Sequence, residues 1–280
     1  MQKSNVKEYG IYALKGFIIG SAMTVPGVSG GTLAIILNIY DKLVSSVASF
    51  FSDIKRNTIF LLTVGVSLLV GMFTLSKLIL LFLDKAPIPV SFFFIGAVIG
   101  SIAMLCKKTG LNKISFSALI SALLGVLCVF ALDLLPDGLF IFSGNPEISD
   151  IPAFSIGGIA LAVALIVPGI SFSHMLLIFG MYERFYEALS SFDVLFLICI
   201  GIPTAIALLA LIKLLDFVLR KYAAQAYSAI IGFVLASIKE IYIGFPTDLL
   251  NIAVTALSFA VGAVLVLAFT GIFNNKQDVK

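Results

Sequence analysis

Two short segments of the same pattern carry the polar groups best suited to binding an anion. "VPGVSGGT" at 25–32 and "VPGISFSH" at 167–174 each place a proline–glycine pair two residues before a serine. Proline and glycine interrupt helices, so each pair predicts a turn followed by a new helix. The free N–H groups at a helix N-terminus, at the positive end of the helix dipole, favour phosphate or carboxylate. Both turns are therefore predicted to bind an anion.

Hydroxyl, imidazole and ammonium groups add further donors to these turns, and their glycines let a ligand approach the backbone. The single histidine either donates to a phosphate oxygen or carries a proton, because its charge changes near neutral pH. One lysine in each half either steers phosphate or extends to the lipid headgroups. The predicted substrate-binding residues are Gly27, Ser29, Gly30, Gly31, Thr32, Gly169, Ser171, Ser173, His174, Lys77 and Lys213. No catalytic residue, metal ligand or cofactor is predicted.

The composition identifies lipid as the solvent of this chain. Hydrophobic residues make up 60% of the sequence and charged residues 12%, and the mean hydropathy is +1.15. A soluble domain of 280 residues cannot hide so much apolar surface. The net charge of +3 gives no indication of nucleic-acid binding. The three cysteines lie in apolar runs without metal-ligand spacing and are predicted to be packing residues.

The long uncharged runs predict helices that cross the bilayer, since about 20 apolar residues suffice. The predicted spans are about 57–83, 88–106, 114–135, 194–219, 222–243 and 248–273. The two segments with the turns, about 10–50 and 153–192, are predicted to enter the membrane and return to the same side. Irregular backbone at that depth is tolerated only inside protein or facing a watery cavity, so two such turns are able to share one site.

The chain repeats itself. "VPGVSGGTLAIILNIYDKL" at 25–43 aligns with "VPGISFSHMLLIFGMYERF" at 167–185, and "IGAVIGSI" at 95–102 aligns with "IGFVLASI" at 231–238. Two matches in the same order predict two halves, 1–135 and 151–280, joined by an acidic loop at 136–150. Such repeats are common in transporters.

The distribution of basic residues favours an inverted second half. If each turn belongs to a re-entrant hairpin, each half has three crossings, and an odd number reverses the second half. With a cytoplasmic N-terminus, this topology leaves only Lys77, Lys85, Arg184 and Lys239 outside, out of 18 basic residues. The alternative, a broken span and four crossings per half, distributes them almost evenly, which the positive-inside rule disfavours. The predicted fold is an all-α polytopic membrane protein of two inverted repeats, each a re-entrant helical hairpin plus three transmembrane helices.

Both proline–glycine motifs and the paired "IGAVIGSI" and "IGFVLASI" segments resemble the polyprenyl-phosphate transporter family (PopT) over essentially the whole chain. The resemblance implies a multi-pass protein of the bacterial cytoplasmic membrane, and the inverted topology above predicts that both termini are in the cytoplasm. The resemblance also implies that the protein returns undecaprenyl phosphate, the lipid carrier of cell-wall synthesis, from the outer to the inner leaflet. One departure is Phe172, where the second motif of the family usually has glycine.

Two other functions remain open from the sequence. Undecaprenyl-pyrophosphate phosphatases also have inverted hairpins with a proline–glycine motif, but theirs continues with Arg-Ser and a glutamate pair lies nearby. Here Gly30-Gly31 and Phe172-Ser173 stand at those positions, and no acidic residue occurs between Lys15 and Tyr40. An anion channel or a transporter of small carboxylates is the third possibility, because such proteins also use helix N-termini.

Overall fold

The protein is helical throughout the part of the chain that the structure describes. This structure is a computed structural model, and it describes residues 2–23, 28–109, 115–140 and 150–274. Within these ranges the α-helices are α1 Gln2–Ala22, α2 Gly30–Ile36, α3 Tyr40–Ala48, α4 Ile54–Lys85, α5 Pro87–Lys108, α6 Phe116–Asp133, α7 Ile151–Ile166, α8 Phe172–Ile178, α9 Tyr182–Ser191, α10 Val194–Lys221, α11 Ala223–Ala236, α12 Ile238–Ile241 and α13 Leu249–Asn274. A 3-10 turn, Phe50–Ser52, separates α3 from α4. The predicted all-α class is confirmed.

Six helical segments in the described ranges are long and apolar enough to cross a membrane. They are Ile54–Leu75, Pro87–Lys107, Phe116–Asp133, Val194–Lys221, Ala223–Ile241 and Leu249–Ala268. These six segments overlap the six predicted spans. The chain is therefore a multi-pass membrane protein. The remaining helices belong to the two segments with the proline–glycine turns, and α2 and α3 are bent by 115° relative to each other.

The start of the long helix in each half is fixed by an aspartate. Asp53 precedes α4 and accepts a hydrogen bond from the backbone N–H of Arg56 at 3.1 Å, and Asp193 precedes α10 and accepts one from Phe196 at the same distance. A carboxylate at this position accepts a hydrogen bond from a free backbone N–H and is attracted to the positive end of the helix dipole, so it stabilises the start of the helix.

The helix order of the first half recurs in the second, and the packing partners recur with it. A helix that leads into a turn packs on the long helix of its own half: α1 on α4 and α7 on α10. The two remaining pairs cross between the halves, because α5 packs on α13 and α11 packs on α6. The larger buried core contains residues of both halves, including Ile35, Leu105, Ile166 and Val234. The two halves thus share one core.

Glycine allows the backbones of each helix pair to approach closely. A methyl group on Gly96 of α5 would lie 2.1 Å from the carbonyl oxygen of Phe259, and one on Gly232 of α11 would lie 2.0 Å from that of Ala122. These two glycines align in the sequence repeat, so equivalent positions make equivalent contacts. Without a hydrophobic driving force between helices in lipid, such close packing is a main source of association. Other glycines in close contacts between paired helices are Gly16, Gly20, Gly71, Gly100, Gly125, Gly158 and Gly262.

We expect Gly20→Ala to loosen the α1–α4 pair. The added methyl group would lie 1.8 Å from the carbonyl oxygen of Leu68, which is backbone and cannot rotate away. Overpacking of this kind lowers the free energy of unfolding by about 1–3 kcal/mol. The measurement is the Tm of the purified protein in detergent, which should fall. Gly65→Ala is the matched control, since no atom lies within 4 Å of its added methyl group. Equal Tm values for the two variants would contradict this packing.

Candidate functional site

The first turn connects α1 to α2. Residues 24–27, which include the predicted ligand Gly27, lie outside the described residues. Ser29 is the N-cap of α2, with extended backbone at φ −78° and ψ 133°, and its side chain makes no capping hydrogen bond in the described part. The Ser29 hydroxyl is therefore not engaged in capping α2. A methyl group on Gly30 would lie 2.8 Å from Met23 Sδ, so this glycine gives room to the Met23 side chain, which follows α1.

The second turn is described completely. Pro168 is fully buried, and Gly169 adopts a positive φ of 86°. A methyl group on Gly169 would lie 2.4 Å from the carbonyl oxygen of Phe233 on α11. Gly169 therefore meets both a left-handed conformation and a close helix contact, which explains the residue type through packing. Ser171 is the N-cap of α8, and its hydroxyl accepts a long hydrogen bond of 3.4 Å from the N–H of His174.

The two turns meet. A methyl group on Gly31 would lie 3.1 Å from Pro168 Cα, so the first turn of α2 packs directly against the second proline–glycine segment. The hydroxyl of Tyr40, at the start of α3, donates a buried hydrogen bond of 2.7 Å to the carbonyl oxygen of Ile166, at the end of α7. This bond also pairs a carbonyl that the end of α7 leaves free. Residues of both halves are thus in contact beside the second turn.

Thr32 is the polar residue most fully enclosed at this junction. Its side chain is 3% exposed, and Oγ1 has no hydrogen-bond partner among the described residues. Ser29 and Thr32 line a small cavity together with Phe94 and Val98 of α5 and Ser237. Its remaining lining residues are Val28, Leu33, Ile36 and Ile241. An unpaired buried hydroxyl is costly, so Thr32 is a group that a ligand would satisfy.

His174 occupies the repeat position of Thr32 but has charged neighbours. Its Nδ1 lies 3.7 Å from Oδ1 of Asp133 and 3.4 Å from Oε1 of Glu240. The ammonium of Lys239 donates to Oδ2 of Asp133 at 2.6 Å. These contacts join α8 to the ends of α6 and α12. Asp133 and Glu240 are not predicted from the sequence, because nothing in their local pattern indicates that the ends of two distant helices meet at His174.

Each half carries a cation after its turn, over the ring of a buried phenylalanine. Lys42 lies 4.9 Å from the centroid of the Phe60 ring and pairs with Glu8, and Arg184 lies 4.8 Å from that of Phe196 and pairs with Asp193. The backbone N–H of Phe196 and the Arg184 guanidinium hold the pKa of Asp193 below its usual range. These pairs fix α3 and α9 against neighbouring helices.

The other predicted ligands are scattered. Ser173 lies half-buried in the first turn of α8. Lys213 is exposed on α10 and takes no part in the described contact between the turns. Lys77 is on α4, and its side chain lies outside the described residues. The structure brings together Ser29, Gly31, Thr32 and the backbone of Pro168. A ligand was predicted to approach the glycines of the turns, but Gly30, Gly31 and Gly169 pack against protein atoms instead.

Comparison with known proteins identifies relatives of this fold. The chain is 31% identical over 243 residues to a protein of Vibrio cholerae serotype O1 named polyprenyl-phosphate transporter. The aligned region covers 82% of this chain and 76% of that protein. It is 30% identical over 268 residues to a polyprenyl-phosphate transporter of Staphylococcus aureus, covering 92% of this chain and 94% of the relative. No solved structure matches significantly. A family model described as VCA0040-like, undecaprenyl phosphate translocase-like, matches residues 19–258, and the chain therefore belongs to this family.

Proposed function

We propose that this protein transports polyprenyl phosphate across the bacterial cytoplasmic membrane, from the outer to the inner leaflet. In this proposal the two segments with the proline–glycine turns are re-entrant hairpins of inverted repeats, and both termini are cytoplasmic. The family and the printed names of the two relatives support the substrate. A phosphate headgroup needs such a protein, because an unpaired charge cannot enter hydrocarbon without a large free-energy cost.

The observation that carries the proposal is the contact between the two turns. Gly31 packs on Pro168, and the Tyr40 hydroxyl donates to the carbonyl oxygen of Ile166, so the first turn of α2 lies against the second proline–glycine segment. Hairpins that enter from opposite faces meet only inside the membrane, where one site is then reachable from both leaflets in turn. The recurring helix order, the packing of α5 on α13 and of α11 on α6, and the bend between α2 and α3 support this topology.

The headgroup is proposed to bind at the junction of the turns. Ser29 and Thr32 provide hydroxyl donors beside the free N–H groups of α2, and the Thr32 hydroxyl has no partner in the described structure. Gly27, Gly30, Gly31, Gly169, Ser171, Ser173 and His174 complete the proposed site, with Lys77 and Lys213 attracting the phosphate. The cavity at Thr32 has room for about one water molecule, so a phosphate enters only when the surrounding helices move apart.

Such movement is the basis of alternating access. Asp41 of α3 accepts a hydrogen bond of 2.7 Å from Tyr227 of α11, which joins the first hairpin to the second half. The contacts of His174 with Asp133 and Glu240 join the second hairpin to α6 and α12. In the proposed topology these two groups of contacts face opposite sides of the membrane. Releasing one group while the other holds opens the site to one leaflet.

Transport is tested with purified protein in liposomes. Undecaprenyl phosphate is added to the outer leaflet, and the loss of accessible phosphate headgroups is measured over time. We expect faster inward movement than in protein-free liposomes, and no acceleration for undecaprenol, which lacks the phosphate. Equal rates with and without protein would overturn the proposal, and so would equal acceleration of both lipids.

A phosphatase is the second candidate because of one observation. Asp133 and Glu240 place two carboxylates beside His174, although the sequence around the turns lacks acidic residues. Carboxylates near a bound phosphate are able to act as general acids or bases. Release of inorganic phosphate from undecaprenyl pyrophosphate in the same liposomes measures this activity directly. We expect none above the protein-free rate, and release that depends on His174 would favour the enzyme.

A further inference from the structure

The cluster at His174 has the geometry of a metal site. Nδ1 of His174, a carboxylate oxygen of Asp133 and one of Glu240 all lie within 4.8 Å of one another. They come from three separate elements, α8, the end of α6 and α12. Ligand atoms around a Zn²⁺ ion lie about 2.0–2.2 Å from the metal, so atoms this close need only a small contraction to share one ion.

We propose that His174, Asp133 and Glu240 bind one divalent transition-metal cation. One imidazole nitrogen and two carboxylate oxygens suit Zn²⁺ or Mn²⁺ better than Mg²⁺, which prefers oxygen ligands alone. Lys239 holds Oδ2 of Asp133, and Oδ1 is directed to His174. A hydrogen bond of this kind to the second oxygen is the common way in which proteins orient a ligating carboxylate.

The charges of the cluster give the cation a role. With a neutral imidazole, the two carboxylates and the ammonium of Lys239 leave one net negative charge, which repels an anionic headgroup. A divalent cation reverses the sign and attracts it. This step rests on the proposed function, because the anion in question is the lipid phosphate. Three protein ligands leave a coordination position for water or a phosphate oxygen.

The cluster is reachable, and the equivalent positions beside the first turn lack its histidine and its glutamate. The side chain of His174 is 28% exposed, and those of Asp133 and Glu240 are 17% and 20% exposed, so an ion enters from solvent. In the sequence repeat, Thr32 stands at the position of His174 and Met104 at that of Glu240. A second copy of the site is therefore absent from these equivalent positions. In the proposed topology the cation acts at the outer face, where the headgroup is collected.

Zn²⁺ binding to the full-length protein in detergent, measured by titration calorimetry, tests the site. We expect one Zn²⁺ per chain, much weaker binding of Mg²⁺, and a loss of Zn²⁺ affinity on the order of 100-fold or more in His174→Ala and in Glu240→Gln. Asp216→Asn is the control, because Asp216 is a similarly exposed carboxylate paired with Arg220, outside the cluster. The Tm of each variant is first measured without metal and compared with that of the unsubstituted protein. If His174→Ala does not fold, the test rests on Glu240→Gln, which preserves the shape of the side chain.

Unchanged Zn²⁺ affinity in Glu240→Gln, or no binding to the unsubstituted protein, would overturn the cation site. The liposome assay separates this failure from a failure of the proposed function. Transport without Zn²⁺ binding would support the proposed function and contradict the cation site. Binding of one Zn²⁺ per chain without transport would support the cation site and contradict the proposed function.

Discussion

Gly169→Ala is expected to lower the free energy of unfolding by about 2–5 kcal/mol. The residue adopts a φ of 86°, which an L side chain resists, and the added methyl group would lie 2.4 Å from the carbonyl oxygen of Phe233. Neither penalty is relieved by a rotamer change, because both involve backbone. In a protein of this size the loss corresponds to a fall in Tm of roughly 5–15 °C.

Two glycines separate the causes. Gly244→Ala tests conformation alone, since its φ is 126° and no atom lies within 4 Å of the added methyl group. Gly201→Ala, in the interior of α10 with open space around it, tests neither and is expected to keep the Tm of the unsubstituted protein or raise it slightly. A Tm for Gly169→Ala within the range of these two controls would contradict the close packing of the second turn on α11.

The sequence predicts that the two turns share one site, and in the structure Gly31 of α2 packs on Pro168 of the second turn. The two motifs are recognisable because an adjacent proline–glycine pair interrupts a helix, and its repetition within one longer aligned segment makes chance unlikely. Their opposite directions follow only from the distribution of basic residues, and the topology therefore stays a prediction. The sequence did not indicate that the glycines pack on Met23, Pro168 and Phe233, because the close approach of two backbones leaves no mark in either segment alone.

A second bend in each of the two segments with the proline–glycine turns was missed, although the sequence contains a signal. Asn38 has a φ of 51° between α2 and α3, and Gly180 has a φ of 69° between α8 and α9. These residues align in the repeat, and asparagine and glycine are the types that best tolerate this conformation. An aligned Asn and Gly just before Tyr40 and Tyr182 thus predict a break that hydropathy hides.

The charged cluster at His174 was beyond the sequence for a different reason. Asp133 and Glu240 end helices that belong to different halves, and only the packing of α6 on α11 brings them together. From the sequence, His174 was a lone histidine with two open roles and no metal ligand was predicted. Its neighbours change the expected chemistry, because two carboxylates beside the proposed anion site require a compensating positive charge.

We expect Thr32→Val to stabilise the protein while slowing transport. Valine has nearly the same shape but lacks the hydroxyl that is buried without a partner, so the free energy of unfolding should rise by about 1 kcal/mol. In the proposed site that hydroxyl donates to the phosphate. Losing a hydrogen bond to a charged group costs about 1.5–3 kcal/mol, or about 10- to 100-fold in headgroup affinity. The measurement is the rate of undecaprenyl phosphate transport at low lipid concentration, together with the Tm.

Thr255→Val is a close match for this experiment. The Oγ1 of Thr255 is also buried without a partner in the described structure, and this side chain is likewise 3% exposed, but it lies in α13 and does not line the cavity. Both variants should gain stability, and only Thr32→Val should lose transport. Because a gain in Tm excludes damage to the fold, slower transport in that variant alone reports the loss of a ligand contact. Wild-type transport by Thr32→Val, or an equal loss in both, would remove Thr32 from the proposed site.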